Sequence, residues 1–334
     1  MIDLRPLLNR VRRIIASQTV EAIAQAAQAR ELARQQAQPL AEAEALLLHG
    51  QAMLMFGRFE KGRTALMASL EIGRGVELGT LHGEVLHQIA RSYYAQGNYD
   101  QTADCWVACL DLPPDQADGD VRCLAHIGLG QLLYAQEQFE AALAHHRHAV
   151  ELTTNPDLAL YRAAALINVA ADLLQLERFD EAEAALDEAL PLIRLNPHAE
   201  HEAEVYGLRA QITLARGDIE RAQRHLRVAL KLSRLNSNGW GEAFNLITLG
   251  RCSIAAGNFD HARDELSQAL TLAEAMGTAS LAARAHEVLA ELFQRLGQAA
   301  DAQTHLDRFS KLREQLLGQL SASRFATMEL RLVD

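Results

Sequence analysis

The sequence predicts an all-α protein built by stacking antiparallel helix hairpins. Three observations predict it: a short turn motif that returns every 40 residues, small side chains at fixed offsets from that motif, and a composition of strong helix formers. Hydrophobic residues make up 49% of the 334, yet aromatics are only 5%, and strand-like runs of Val, Ile and Thr are nearly absent. The chain therefore has to bury alanine and leucine faces of helices against one another.

The motif reads GRFE at Gly57, GNYD at Gly97, EQFE at Glu137, ERFD at Glu177, GDIE at Gly217, GNFD at Gly257 and GQAA at Gly297. Seven positions before it stand Gly50, Ala90, Gly130, Ala170, Ala210, Gly250 and Ala290; five positions after it stand Gly62, Thr102, Ala142, Ala182, Ala222, Ala262 and Ala302. Only small side chains occupy these two slots, so two helix backbones can approach closely there. Nine positions after the motif, Leu66, Trp106, His146, Leu186, Leu226, Leu266 and Leu306 fill the seam. The offsets of three and four within each segment are those of one helical face. Each repeat is thus helix A, a tight turn and helix B. A left-handed residue, glycine in five of seven copies, ends helix A, and an acidic residue favours the start of helix B. Breaker-rich text (LPPDQADG, TTNPD, LNPHAE, LNSNGW) separates the hairpins, and Pro191 alone among the prolines falls inside a predicted helix, where a kink or an end is expected.

These residues resemble the tetratricopeptide repeat (TPR) family over about residues 41–310, with two departures. The period of 40 exceeds the commonest 34, and the helix A aromatic slot holds Tyr93 and Phe293 but Met53, Leu133, Leu173, Thr213 and Ser253 elsewhere. The resemblance implies a right-handed superhelical solenoid whose helix A residues line a concave face that binds a peptide or protein, with no cofactor and no catalysis. Residues 1–40 carry a fainter hairpin, with Ala22, Ala26 and Ala29 in register, expected to cap the stack. Residues 311–334 continue as an amphipathic helix whose stripe (Leu312, Leu316, Leu320, Phe325, Met328, Leu332) is expected either to cap the last repeat or to act as a coiled-coil connector joining two chains as a homodimer. That tail also resembles the junction at which bacterial TPR sensors lead into diguanylate cyclase output domains.

The net charge of −11, with acids and arginines interspersed, disfavours nucleic acid and anionic membranes as partners. No apolar run is long enough to span a bilayer, no export signal opens the chain, and four cysteines without framework spacing suit a reducing cytoplasm. His145, His146 and His148 crowd one helix but diverge in direction, so no metal is expected, and Cys105 and Cys109 are expected to be packing thiols. No nucleophile elbow, phosphate loop or dinucleotide fingerprint occurs, so no enzyme activity is expected.

Sorting helix A by repeat position gives three candidate concave rows. One holds Gln51, Arg91, Gln131, Ala171, Gln211, Arg251 and Glu291; a second holds Tyr94, Tyr134, Leu174 and Leu214; a third holds His87, Ile127, Ile167, Ile247 and Glu287. From these, with Asn168 one position from the amide row, His87, Arg91, Tyr94, Gln131, Tyr134, Asn168, Gln211 and Arg251 form the candidate binding set. Amides suit a peptide backbone, arginines an acidic group, and aliphatic and aromatic side chains its apolar anchors. The competing expectation for Arg91 and Arg251 is local pairing with Glu84 and Glu242. The role expected is the sensory or regulatory part of a bacterial signalling protein. The alternatives are a peptide-responsive regulator of a transcription or phosphorelay partner, and a passive assembly scaffold. Residues 1–40 are too short for a helix-turn-helix domain of its own.

Overall fold

A computed structural model describes residues 3–15, 17–195, 199–318 and 320–331. Among the described residues there are seventeen α-helices, one 3₁₀ turn at Pro156–Leu158, and no strand. The first pair is α1 (Arg5–Ile14) and α2 (Thr19–Gln35). Seven hairpins follow: α3 (Pro39–Met55) with α4 (Phe59–Ile72), α5 (Leu81–Tyr94) with α6 (Tyr99–Asp111), α7 (Gly119–Ala135) with α8 (Phe139–Leu152), α9 (Ala159–Gln175) with α10 (Phe179–Leu195), α11 (Ala199–Ala215) with α12 (Ile219–Leu235), α13 (Gly239–Ala255) with α14 (Phe259–Ala275), and α15 (Ala279–Arg295) with α16 (Ala299–Leu317). A last helix, α17, covers Ala322–Leu330.

The chain divides into two compact units, Met1–Leu132 with Gln319–Asp334, and Leu133–Gly318. In the first, α3 packs on α2, α4 and α5, and α5 on α6. Leu4, just before α1, and Leu8 and Val11 of α1 cover the buried alanine face of α2 at Ala22, Ala26, Ala29 and Ala33. In the second, each A helix packs on its own B helix and on the next A helix, through α9, α11, α13 and α15.

Close approach at the small slots is visible directly. A Cβ on Gly50 would lie 2.6 Å from Leu66 Cγ, and one on Gly250 would lie 2.7 Å from Leu266 Cγ, so the small residue of helix A receives the seam leucine of helix B. The hairpin turns share one design. At Gly57 the amide donates to the Leu54 carbonyl and the next amide, Arg58, donates to Met53, and this pair of bonds recurs at all seven turns. The turn residue is left-handed each time, including Glu137 (φ 60°) and Glu177 (φ 58°), the two positions without glycine. Pro191 lies inside α10 and does not end it, since the helix continues to Leu195. So close to the C-terminus its missing N–H deprives only the Asp187 carbonyl of a helical donor.

The tail differs from a single continuous helix. Helix α16 stops at Leu317, where Gly318 caps it, and α17 folds back onto α6. There Asp100 accepts from the Ser321 amide (2.8 Å), Asp104 pairs with Arg324 (2.7 Å) and Asp111 pairs with Arg331 (2.9 Å). The stripe finds cover within its own chain: Leu312 packs on the α13–α15 core and Met328 is fully buried. Leu332 lies outside the described residues. Asp100, Asp104 and Asp111 lie on one face of α6, and their contacts with Ser321, Arg324 and Arg331 anchor the last helix there.

Candidate functional site

In the first unit, Arg91, Tyr94 and His87 project from the last turns of α5. The Arg91 side chain is solvent-accessible, but the surrounding protein desolvates its guanidinium and lowers its pKa. Its polar contact is Gln88 Oε1 at 3.3 Å. Glu84, the expected partner, is taken by Arg12 at 2.9 Å, and Arg91 makes no ion pair with any described carboxylate. Tyr94 stacks on Tyr99 (centroids 5.5 Å) and tilts against Trp106 (5.9 Å); burial, then Tyr99, pushes its hydroxyl up to about 12. His87 is buried, and its Nδ1 accepts the Trp106 indole N–H at 3.2 Å. Burial and neighbouring Arg91 lower the ring to about 3, so it is a neutral acceptor committed to packing and not an open wall residue. Gln131 is half-buried on α7.

In the second unit the A helices enclose a cavity of about 450 Å³. Gln211, Leu214, Ile247, Arg251 and Leu174 line it, all from the rows singled out in the sequence. Arg251 pairs with Glu287 of the next A helix at 2.8 Å, whereas Glu242 is held by Arg234 at 2.7 Å. The ion pair therefore bridges consecutive hairpins across the wall. Tyr134 accepts from Arg284 Nη2 through its hydroxyl at 3.0 Å. Asn168 donates to the Ala164 carbonyl of its own helix at 2.8 Å, a back-bond that occupies one amide hydrogen. Further contacts join the start of this unit to α16: Arg313 grips Glu137, with Nε to Oε1 at 2.7 Å, and Gln136 donates to the Leu316 carbonyl at 3.0 Å.

Phe244 and Arg284 are among the lining residues that the three helix A rows do not contain. The signal was present. They stand seven positions before Arg251 and Glu291, two turns back on the same face. A second missed feature is Asp172, fully buried on α9 with Oδ2 at 2.5 Å from His146 Nδ1 of α8. Its slot holds Ala52, Ser92, Leu132, Ile212, Cys252 and Leu292 in the other repeats, and His146 replaces a seam leucine or tryptophan. Two polar departures in adjacent helices were the clue.

Among the described residues, no group of three or more His, Cys, Asp or Glu is arranged to hold a metal ion. Cys109, Cys123 and Cys252 are buried, and burial pushes each thiol up to about 12, far from a reactive thiolate. Among the described residues, no helix is long and apolar enough to cross a membrane.

Paired helices in register, small-to-large seams and a wall of A helices define a TPR-like helical solenoid. The chain belongs to the MalT-like TPR region family, whose model matches residues 13–315. Among solved structures it is similar to the apo form of RapI (TM-score 0.67, 12% identity, 82% of this chain and 98% of that one). It is also similar to a Rap protein complexed with competence and sporulation factor (0.65, 14%, 95% and 99%). A third is the apo form of the quorum sensor NprR from B. thuringiensis (0.65, 14%, 93% and 89%). At these identities the likeness establishes the fold alone. A search of curated proteins returns no match.

Proposed function

We propose that this chain is a non-catalytic, cytoplasmic peptide-binding module that serves as the sensory or regulatory part of a bacterial signalling protein. The observation that carries the reading is the cavity of the second unit, where Gln211, Arg251 and Glu287 stand beside Leu174, Leu214 and Ile247. Amides and charges pair with a peptide backbone and termini, and aliphatic walls take its side chains. Structural likeness to proteins solved with competence and sporulation factor and with the Phr* peptide supports a peptide as ligand. Arg91 and Tyr94 of the first unit offer a further contact surface for a protein partner, since Arg91 carries a charge that no carboxylate among the described residues answers. The α1–α2 pair serves as a cap, its apolar residues closing the alanine face of α2. Pairing of two chains as a homodimer through residues 311–334 would compete, over α17, with its contacts to Asp100, Asp104 and Asp111 of α6.

The test is retention of a pool of short random-sequence peptides on the immobilised chain, read by mass spectrometry. The wild type should retain a defined subset, and a Gln211→Ala, Arg251→Ala double variant with unchanged helicity should lose it. An empty eluate from the wild type would remove the peptide reading and favour a scaffold.

A further inference from the structure

Two cations line the cavity of the second unit, Arg251 and Arg284, and their electrostatic states differ. Arg251 is neutralised by Glu287 at 2.8 Å. Arg284 is half-buried and pairs with no described carboxylate; its contacts are the neutral Tyr134 hydroxyl at 3.0 Å and the face of Phe244, 5.7 Å from guanidinium to ring centroid. Phe244 is itself fixed by stacking on Trp240, with centroids 5.2 Å apart and planes 13° from parallel. A guanidinium offers five donors in a planar fork, and one hydroxyl and one ring face leave most of them for water or for a ligand. A neutral donor–acceptor and a π face orient the fork without cancelling its charge. Such a group is preorganised for a bidentate carboxylate, the anion whose two oxygens match the fork.

We propose that Arg284 receives a carboxylate of the bound peptide. The carboxylate belongs either to an Asp or Glu side chain or to the C-terminus. Tyr134 acts as the positioning residue of the fork, and Leu214, Phe244 and Ile247 take an apolar side chain beside it. Arg251, already paired with Glu287, contributes polarity to the wall but not the anion site. This assignment rests on the reading of the cavity as a peptide site, and it narrows the ligand class to peptides carrying an acidic group next to an apolar residue.

The experiment uses the full chain and two pools of short random-sequence peptides, one with free C-termini and one amidated. Wild type, Arg284→Gln, Arg284→Lys and Tyr134→Phe are compared by mass spectrometry of the retained peptides, with circular dichroism confirming the fold of each. If a side chain supplies the anion, the wild type enriches Asp or Glu from both pools; if the C-terminus does, it retains the free-acid pool and discards the amidated one. Arg284→Gln should erase that carboxylate preference and weaken the retained peptides by about 10- to 100-fold, as for a lost hydrogen bond to a charged group. Arg284→Lys should keep part of the preference, because the charge survives and the fork does not. Tyr134→Phe should weaken acidic peptides more than neutral ones. A preference that persists in Arg284→Gln, or its absence in a wild type that does retain peptides, overturns this assignment alone. A wild type that retains nothing from either pool overturns the peptide reading and this assignment with it.

Discussion

His146 and Asp172 face each other across the α8–α9 packing surface, Nδ1 to Oδ2 at 2.5 Å, both excluded from solvent, where every other repeat places apolar or small residues. Burial raises the Asp172 carboxyl above its ordinary range, opposed by His146, and its Oδ1 has no partner among the described residues. Removing one member strands the other, which typically costs about 3–5 kcal/mol, while replacing both with apolar groups of similar volume is often neutral or stabilising. Asp172→Ile and His146→Leu should each lower the unfolding midpoint strongly, and the double variant, which restores the side chains of neighbouring repeats, should recover most or all of it. Chemical denaturation of the four proteins checks this, and additive losses would contradict it.

Acid should weaken the first unit through His87. Its ring is held neutral by burial, with a folded pKa near 3 against 6.5 when unfolded. The folded state therefore binds fewer protons, so the stabilisation is complete above pH 6.5 and is lost as pH falls toward 3. Thermal melts followed by tryptophan emission should show the decline. His87→Leu should flatten it while costing about 1–3 kcal/mol at neutral pH, because the Trp106 N–H loses its acceptor.

Glu204 predicts the opposite slope. It is half-buried on α11, and burial, then the neighbouring Glu200, pushes its carboxyl up to about 7. The folded state here binds more protons than the unfolded one, so stability should fall as pH rises from about 4.5 to about 7. Glu204→Gln should remove that part of the decline. An unchanged pH profile of the melting temperature would show that the carboxylate is already solvated.

Glu137 combines a strained backbone with a useful side chain. Its φ of 60° is disfavoured for a residue with a Cβ, and its carboxylate holds Arg313. Glu137→Gly relieves the first by about 1 kcal/mol and forfeits the second, a half-exposed pair worth about 0–1 kcal/mol. In an Arg313→Ala background the glycine should therefore stabilise by nearly the full amount, and in the wild type by less. Equal effects in both backgrounds, measured by urea denaturation, would mean that the ion pair contributes nothing.

The hairpins were legible in the sequence because backbone contact dictates side-chain size. Gly50, Ala90, Gly250 and Ala290 sit where two helices touch, and each is as small as that contact requires. The lining residues Gln211, Arg251 and Leu214 were legible for a similar reason, since helical periodicity assigns each position a face. What the sequence hid were contacts that skip whole repeats. Tyr134 meets Arg284 at a separation of 150 positions, and Arg324 meets Asp104 at 220. Such partners depend on the small rotation accumulated from one hairpin to the next, which no single repeat encodes. The break at Gly318 was masked by leucines on either side that keep a helical rhythm.

Trp106 lies so close to the neighbouring hairpin that a Cβ on Gly128 would fall 2.4 Å from its ring. The other repeats hold leucine, glutamine, asparagine, threonine or valine at the Gly128 position, and none of them besides the second carries tryptophan in the seam. Bulk has been traded across a hairpin boundary. Hence the cassette that could be grafted into a sister array is not the hairpin marked out by the turns, but helix B together with the helix A that follows it. A transplant cut at the visible punctuation would inherit either a hole or a collision.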